Sequence, residues 1–202
     1  MIAVSSLTVQ DLGSAAQRDR RRRILDATIA LASEGGFDAV QMRAVAEHAD
    51  VALGTLYRYF PSKIHLLVSA LQREFEEAAA TARSRPVAGA TAADRVVTML
   101  RRTSRRMQRD PRLTEALTRA FMFADASVAP EIRRVGSLLT SMLTHAMRPD
   151  LDAADVTEAD VQVARVIGDV WLSTLVGWVT GRTTAAETAR RLEVAVELLL
   201  RD

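Results

Sequence analysis

The sequence contains no cysteine among its 202 residues. Disulfide bonds, thiolate nucleophiles and cysteine-ligated zinc sites are therefore excluded, and a reducing cytoplasm is the expected location. Residues 1–17 lack the early positive charge and the long apolar run of a secretory signal, so we expect a flexible tail there. The most apolar later stretch, 166–179, is interrupted by Asp169 and falls short of the ~20 residues of a membrane span. No membrane partner is expected.

Aromatic residues and lysine are also scarce. Only 4% of the residues are aromatic, and Lys63 is the single lysine, so arginine supplies every other basic side chain except histidine. Both tyrosines of the chain, Tyr57 and Tyr59, lie close to that lysine. Core packing does not explain this concentration, whereas hydroxyl and ammonium groups both suit phosphate oxygens. This segment is therefore a candidate contact with nucleic acid.

Motifs of catalysis and metal binding are missing as well. None of the three histidines, His48, His65 and His145, has glutamate at the third position before it, as a carboxylate-bridged dimetal bundle requires. The chain also lacks H-E-x-x-H, G-x-G-x-x-G and P-loop patterns. We expect no enzyme, metal or cofactor. A helical metalloenzyme and a helical scaffold for protein contacts remain as alternatives, which metal analysis and DNA footprinting would distinguish from a DNA-binding protein.

Apolar residues recur at helical spacing along the chain, without the alternation of strands, and this predicts an all-α fold of about nine helices. Glycines at 35 and 36 are expected to end the first helix, and proline at 61 separates the third from the fourth. The first four helices are expected over 16–33, 41–48, 53–59 and 62–83. Beyond a break at 84–89, capping residues or prolines predict helix starts near Thr91, Asp110, Pro130, Thr157 and Thr184.

The tight turn at 49–52 joins two short helices and predicts a helix-turn-helix. Gly54 and Thr55 open the third helix with small side chains, which lets its backbone approach base edges in the major groove. Residues 35–37, 42–46 and 51–63 together resemble the DNA-binding signature of the TetR family of transcriptional repressors. Gln41 and Asp50 depart from that signature, where a hydroxyl cap and a glycine are usual. Aspartate tolerates the left-handed backbone that such a turn requires.

The resemblance implies a helix-turn-helix domain over 18–66 and an effector-binding and dimerisation domain over 67–202. It also implies contacts with double-stranded operator DNA. The run of arginines before the first predicted core residues is either a solvated helix face or a basic arm. The residues implied as DNA contacts are Arg20, Arg21, Arg22, Arg23, Arg43, Leu53, Gly54, Thr55, Tyr57, Arg58, Tyr59 and Lys63.

Segments in both predicted domains resemble one group within that family, the repressors of cholesterol catabolism in mycolic-acid actinobacteria. These segments are 1–7, 41–46, 113–120, 123–127 and 169–173. The resemblance implies a homodimer on a palindromic operator that a steroid acyl-CoA thioester releases. The alternative is a TetR-type repressor of an efflux or other metabolic operon with a different apolar effector.

Large or pliable apolar residues of the second domain are either core or the lining of an effector cavity. The candidates for this lining are Met99, Met107, Leu117, Phe121, Phe123, Met142, Trp171 and Trp178. A basic stripe on the fifth helix is either a solvated face or a phosphate clamp for a nucleotide-bearing effector. The stripe comprises Arg101, Arg102, Arg105 and Arg106, of which Arg102 and Arg106 are the candidate effector contacts.

The segment 161–179 is apolar on nearly all sides, so it needs cover on more than one face. A second subunit would supply that cover in a four-helix interface formed with the last helix, although a monomer that buries both faces internally is the alternative. The candidate interface residues are Val166, Val170, Leu192, Val196 and Leu199.

Overall fold

The chain folds as a bundle of helices. The structure is a computed structural model that describes the backbone of residues 3–85, 87–150 and 155–201, and side chains from residue 15 onward within those ranges. The described residues form nine α-helices and no strand: α1 (Ala3–Ala39), α2 (Met42–His48), α3 (Leu53–Tyr59), α4 (Lys63–Ser84), α5 (Ala92–Arg109), α6 (Pro111–Met122), α7 (Ala129–Met147), α8 (Glu158–Val179) and α9 (Ala185–Leu199). The predicted all-α fold is confirmed.

The start of α1 differs from the prediction, whereas its interruption agrees with it. The helix begins at Ala3 instead of residue 16, so it includes most of the segment that we expected to be a flexible tail. No proline stands in that segment to stop the helix from extending toward the N-terminus. Gly35 and Gly36 both have non-helical backbones, and Gly36 has a φ of 68°, which favours glycine because it has no Cβ.

Side-chain caps set the starts of α5, α8 and α9, as predicted. At the start of α5, the Thr91 side chain accepts a hydrogen bond from the Asp94 N–H, and the Asp94 carboxylate accepts one from the Thr91 N–H. Such a capping box satisfies amide groups that have no partner within the helix. The same arrangement starts α8 at Thr157 with Asp160 and α9 at Thr184 with Glu187.

One hydrophobic core joins the N-terminal helices to the rest of the bundle. Ile24, Val45 and Leu56 are completely buried between α1, α2 and α3, and Leu66 continues this core into α4. α6 packs against α1 and α4, while α4 packs against α7. α4 and α6 therefore connect the first three helices with the C-terminal ones.

The C-terminal helices complete the bundle, with α7 against α8 and α8 against α9. Within the described ranges, no helix has the length and hydrophobicity needed to cross a lipid bilayer. α8 in particular carries polar residues on the side that the core leaves uncovered, including Asp169.

Candidate DNA-binding surface and effector cavity

The helix-turn-helix is closed by a tight turn between α2 and α3. Asp50 has a φ of 51°, the left-handed conformation that its residue type was expected to tolerate. The Val51 N–H donates to the carbonyl of Ala46 at 3.0 Å, and Ala49 is buried beneath the turn. Arg23 reaches across from α1 and donates from its guanidinium to the carbonyl of Ala49 at 2.7 Å. The relative orientation of α2 and α3 is thus fixed by both backbone and side chain.

α3 divides into a buried side and an exposed side. Leu56 is completely buried. In contrast, Leu53 is 39% exposed and Tyr57 is 46% exposed, although both have large hydrophobic side chains. Arg58 is also exposed, and a Cβ added to Gly54 would contact nothing within 4 Å. The exposed side of α3 is therefore unobstructed, which is the condition for a helix that enters the major groove.

The arginine run at 20–23 does not form a uniform free arm. Arg22 pairs with Asp19 at 2.6 Å, and the Arg21 guanidinium lies 5.6 Å from the centre of the Phe60 ring. Arg23 donates to the carbonyls of Ala49 and Asp50 in the turn, so it also stabilises the helix-turn-helix itself. Arg20 is half-buried.

The other predicted DNA contacts lie around α2, α3 and the start of α4. Arg43 is exposed on α2, whereas Thr55 and Tyr59 are half-buried on α3. Lys63 is the first residue of α4, and its ammonium lies 3.9 Å from the centre of the Phe37 ring. Burial lowers the pKa of Lys63 below its ordinary value, while the charge of Asp38 opposes this effect.

An apolar cavity of about 160 Å³ lies in the second domain between α4, α6, α7 and α8. Phe75 of α4 and Trp171 of α8 meet edge to face across it, with ring centres 6.0 Å apart. The indole N–H of Trp171 donates to Ser104 at 3.0 Å, which fixes the ring. Phe121 of α6 and Met107 of α5 also line the cavity, as the sequence predicted.

Several lining residues of this cavity escaped the sequence analysis. They are ordinary leucine, valine, threonine or phenylalanine positions, and helical spacing gives no sign that distinguishes a cavity wall from a filled core. The lining residues that were missed include Leu71, Phe75, Thr118, Val135, Leu139, Leu172 and Leu175.

A larger groove of about 700 Å³ adjoins the apolar cavity between α4, α7 and α8. Both spaces are lined by Gly136, Thr140 and Arg165, so they adjoin one another. Basic and hydroxyl residues are the most numerous in the wall of the groove, although most of its surface is apolar. Met142 also lines the groove, away from the apolar cavity. These basic residues are Arg83, Arg133, His145, Arg148 and Arg165.

The arginines of the groove have few neutralising partners. Arg148 pairs with Asp160 at 3.3 Å. In the described part of the chain, no carboxylate lies within ion-pair distance of Arg83, Arg133 or Arg165. Arginines without a carboxylate partner are suited to contacts with phosphate or carboxylate groups. The sequence analysis missed this cluster because these residues come from three helices.

The arginine stripe of α5 does not reach this groove. Arg106 pairs with Glu74 at 2.9 Å and with Glu77 at 3.2 Å, and Arg101 pairs with Glu193 at 2.7 Å. Arg102 is exposed and is not among the described residues that line either space. Arg102 and Arg106 therefore line neither the cavity nor the groove, and the phosphate clamp predicted at these two residues stays a prediction.

Four of the predicted apolar lining residues lie elsewhere. Phe123 is 68% exposed beyond the end of α6, because the turn that follows directs its side chain to the surface. Met99 is buried in the core, and Leu117 lines a smaller cavity of about 100 Å³ that shares Leu71, Phe75 and Met107 with the main one. Trp178 is half-buried near the end of α8 and is not among the described residues around the main cavity.

Apolar side chains remain exposed on α8 and α9. Val166 of α8 is 45% exposed and Leu199 of α9 is 37% exposed, as a surface for a second subunit would require. Val170 is half-buried. Leu192 and Val196 are corrected, because both are buried in the core of a single chain and have almost no surface left for a partner. Val194 and Leu198, which the prediction did not name, are 50% and 54% exposed.

Comparison with known proteins places both parts of the chain in one family. Residues 24–70 match the family model described as bacterial regulatory proteins, tetR family, and residues 89–199 match the model of the Tetracyclin repressor-like C-terminal domain. The HTH-type transcriptional repressor KstR of Rhodococcus jostii (strain RHA1) is 57% identical over 201 residues, which cover 100% of this chain and 92% of that protein. This relative is named as a repressor, in agreement with the non-enzymatic function predicted.

Solved structures share the fold. A TetR transcriptional regulator from Rhodococcus sp. RHA1 superposes with a TM-score of 0.82 at 30% identity, covering 92% of this chain and 97% of the other. FadR from Bacillus subtilis, solved in complex with stearoyl-CoA, superposes with a TM-score of 0.65 at 19% identity over 89% of this chain and 97% of its own. The helix-turn-helix, the helical effector domain and these matches identify the chain as a ligand-responsive transcriptional repressor of the TetR family, similar over its whole length to the KstR repressors.

Proposed function

We propose that the protein is a cytoplasmic repressor that binds a palindromic operator as a homodimer and leaves it when a steroid acyl-CoA thioester binds. The observation that carries the ligand class is the apolar cavity beside an arginine-lined groove, joined at Gly136, Thr140 and Arg165. A steroid acyl-CoA has the same two parts, a fused-ring acyl group and a carrier rich in phosphate. The resemblance to the cholesterol-catabolism repressors supports the control of lipid-degradation genes.

The exposed side of α3 is proposed to read the operator bases. Leu53, Gly54 and Tyr57 present an open surface, and Arg58 adds a cation beside them. Thr55 offers a hydroxyl and a methyl group for contacts with base edges. In this proposal, contacts with the DNA phosphates on both sides of the major groove fix the register of the protein on the DNA, but they do not read the base sequence. The phosphate contacts are assigned to Arg20, Arg21, Arg22, Arg43, Tyr59 and Lys63.

A second subunit is proposed to cover the exposed apolar residues of α8 and α9. A twofold interface presents the same patch twice, so Val166, Val194, Leu198 and Leu199 would pack against their own copies or each other. Such a dimer would place its two α3 helices in successive major grooves, about 34 Å apart.

The two parts of the ligand are proposed to bind in the two adjoining spaces. The acyl group would lie among Phe75, Phe121 and Trp171, whereas the phosphates would contact Arg83 and Arg133 at the groove. Arginine binds phosphate in a bidentate manner, which makes these contacts strong. FadR of Bacillus subtilis provides a precedent within this fold, because its structure holds stearoyl-CoA. A free sterol would lack the second anchor.

Release from DNA is proposed to follow from the small volume of the cavity. Its volume of about 160 Å³ is below the ~300 Å³ at which drug-sized ligand sites begin. A fused-ring acyl group therefore has to displace the walls, and two of these walls, α4 and α6, contact the DNA-binding helices. A tilt of α4 would change the spacing of the two α3 helices. A hundredfold loss of operator affinity requires about 2.7 kcal/mol of coupling, within the ordinary allosteric range.

A gel-shift titration tests this proposal. The protein bound to its operator is titrated separately with the steroid acid, with CoA and with their thioester. We expect the thioester alone to release the DNA at low concentration. Release by an unrelated apolar compound, without any response to the thioester, would favour the alternative of an efflux or other metabolic operon. If the protein bound no palindromic DNA, the proposal that it binds an operator would be refuted.

A further inference from the structure

The break in α1 is held by a polar contact from α6. Gly36 lies at the centre of the break, and the next residue, Phe37, donates from its N–H to the Glu115 carboxylate at 3.2 Å. The same carboxylate oxygen would lie 3.2 Å from a Cβ added at Gly36. Arg112 of α6 also donates to the carbonyl of Glu34, just before the break. α6 therefore contacts the backbone of α1 on both sides of its kink.

The Phe37 ring then links α6 to the first residue of α4. The Arg119 guanidinium lies 4.3 Å from the centre of this ring, and the Lys63 ammonium lies 3.9 Å from it. Cations are attracted to the face of an aromatic ring, and the attraction grows as water is excluded. Arg119 is itself oriented by Glu115 at 3.8 Å and by Asp38 at 3.7 Å. We call Phe37, Lys63, Glu115 and Arg119 the α6 junction.

A neighbouring side of α6 faces the effector cavity. Thr118 and Phe121 line the cavity, whereas Glu115 and Arg119, one turn apart, share the side that faces α1. A movement of α6 caused by cavity contents must therefore also move the groups that hold the Phe37 ring. No other cation in the chain is a lysine, and this one stands at the start of α4 beside the helix-turn-helix.

We infer that Glu115 and Arg119 are positioning residues for DNA binding, which hold Lys63 for its operator contact and transmit the position of α6 to it. Neither residue lies on α3 or lines the cavity described above. Loss of the junction should therefore weaken operator binding while leaving the cavity able to bind its ligand. This inference rests on the proposed operator binding and names the residues through which the effector would regulate it.

The test uses the full chain and compares Glu115→Ala, Arg119→Ala and Phe37→Leu with the wild type. Operator affinity is measured by fluorescence anisotropy at several salt concentrations, and binding of the steroid acyl-CoA to the DNA-free protein by calorimetry. We expect each variant to lose about tenfold in operator affinity. Affinity for the thioester should change less than twofold. Lys63→Ala serves as the reference variant, with a salt slope lower by about one unit.

Two controls separate positioning from general damage. Arg119→Lys keeps a cation for the Phe37 ring and should restore most of the operator affinity, whereas Arg102→Ala removes an exposed arginine of α5 and should have no effect. Phe37→Leu and Arg119→Ala both keep the hydrogen bond from the N–H of residue 37 to the Glu115 carboxylate. If Glu115→Ala fails to fold, these two variants therefore test whether the α6 junction supports operator binding. If these folded variants bound the operator as tightly as the wild type and the thioester released them from it at the same concentration, the inference would be overturned.

A measurement without DNA distinguishes failure of the junction from failure of the operator proposal. Hydrogen exchange of the Phe37 amide should be slow in the free protein, faster in Glu115→Ala, and altered when the thioester binds. Unchanged exchange in Glu115→Ala would overturn the inference even if no operator had been found. Absence of operator binding by the wild type, with exchange as expected, would refute only the operator proposal.

Discussion

At the scale of single residues, Gly136 has the most direct bearing on ligand entry. It lines both the apolar cavity and the arginine groove, and a Cβ built there contacts nothing within 4 Å. A larger side chain would thus extend into the passage between the two spaces without displacing the bundle. Replacing glycine within α7 should also favour the helix, by up to about 1 kcal/mol.

Gly136→Leu is therefore expected to yield a repressor that does not respond to the thioester. Operator affinity and thermal stability should match the wild type or exceed it, while the thioester concentration needed for release should rise at least tenfold. Gly136→Ala is the matched control, since its methyl group leaves most of the passage open. Equal release of Gly136→Leu and wild type in a gel-shift titration would show that the ligand does not pass this point.

Single residues also show where prediction from the sequence stops. The locations of Lys63 and Tyr57 beside the turn were predictable, because the signals for turns and short helices are local. The arginine groove was not, since Arg83, Arg133 and Arg165 belong to three helices whose relative rotation is a tertiary property. Helical spacing shows that α5 has a basic face, but only the packed structure shows Glu74 and Glu77 opposite Arg106.

At the scale of elements, the capping boxes that start α5, α8 and α9 predict how the stability of the fold depends on pH. The pKa values of Asp94, Asp160 and Glu187 are lowered because threonine N–H or hydroxyl groups donate to these carboxylates. A carboxyl whose pKa is lower in the folded state stabilises the fold above its unfolded pKa. This contribution is lost as pH falls through the folded value.

We therefore expect the melting temperature to change little between neutral pH and pH of about 5, and to fall below pH of about 4. Asp160→Asn should lower the melting temperature at neutral pH and make no difference under acid conditions, where the wild-type carboxyl is protonated. Asp150→Asn, which alters an exposed carboxylate outside the caps and outside α8 and α9, is the control. A difference between Asp160→Asn and wild type that is the same at every pH would contradict the capping account.

The sequence predicted the breaks between helices better than the start of α1 or the faces that the helices bury. The breaks at Gly35, Pro61 and Pro111 and the capping boxes were correct because each depends on a few neighbouring residues. The start of α1 was placed too late, since the segment before residue 16 has no regular apolar face, which is the signal that the prediction used. Leu192 and Val196 were assigned to an interface because periodicity shows an apolar stripe without showing what covers it.

At the scale of the whole molecule, the exposed apolar residues of α8 and α9 predict that a dimer is needed for operator binding. Val166→Glu combined with Leu198→Glu would place four charges in a twofold interface and should give a monomer. Sedimentation measures the mass, and anisotropy should show operator affinity lower by at least tenfold. Arg102→Glu is the control for a surface charge outside the interface. A double variant that remains dimeric would contradict the assignment.

In the proposed function, the cavity and the operator surface are two coupled sites of one molecule. Coupling between sites is reciprocal, so the factor by which the thioester weakens operator binding must equal the factor by which the operator weakens thioester binding. The most direct test is therefore calorimetric titration of the steroid acyl-CoA into the protein alone and into the protein saturated with operator. We expect the affinity to fall by the same factor, about a hundredfold, as that found for release of DNA. Equal thioester affinity with and without operator would contradict the account.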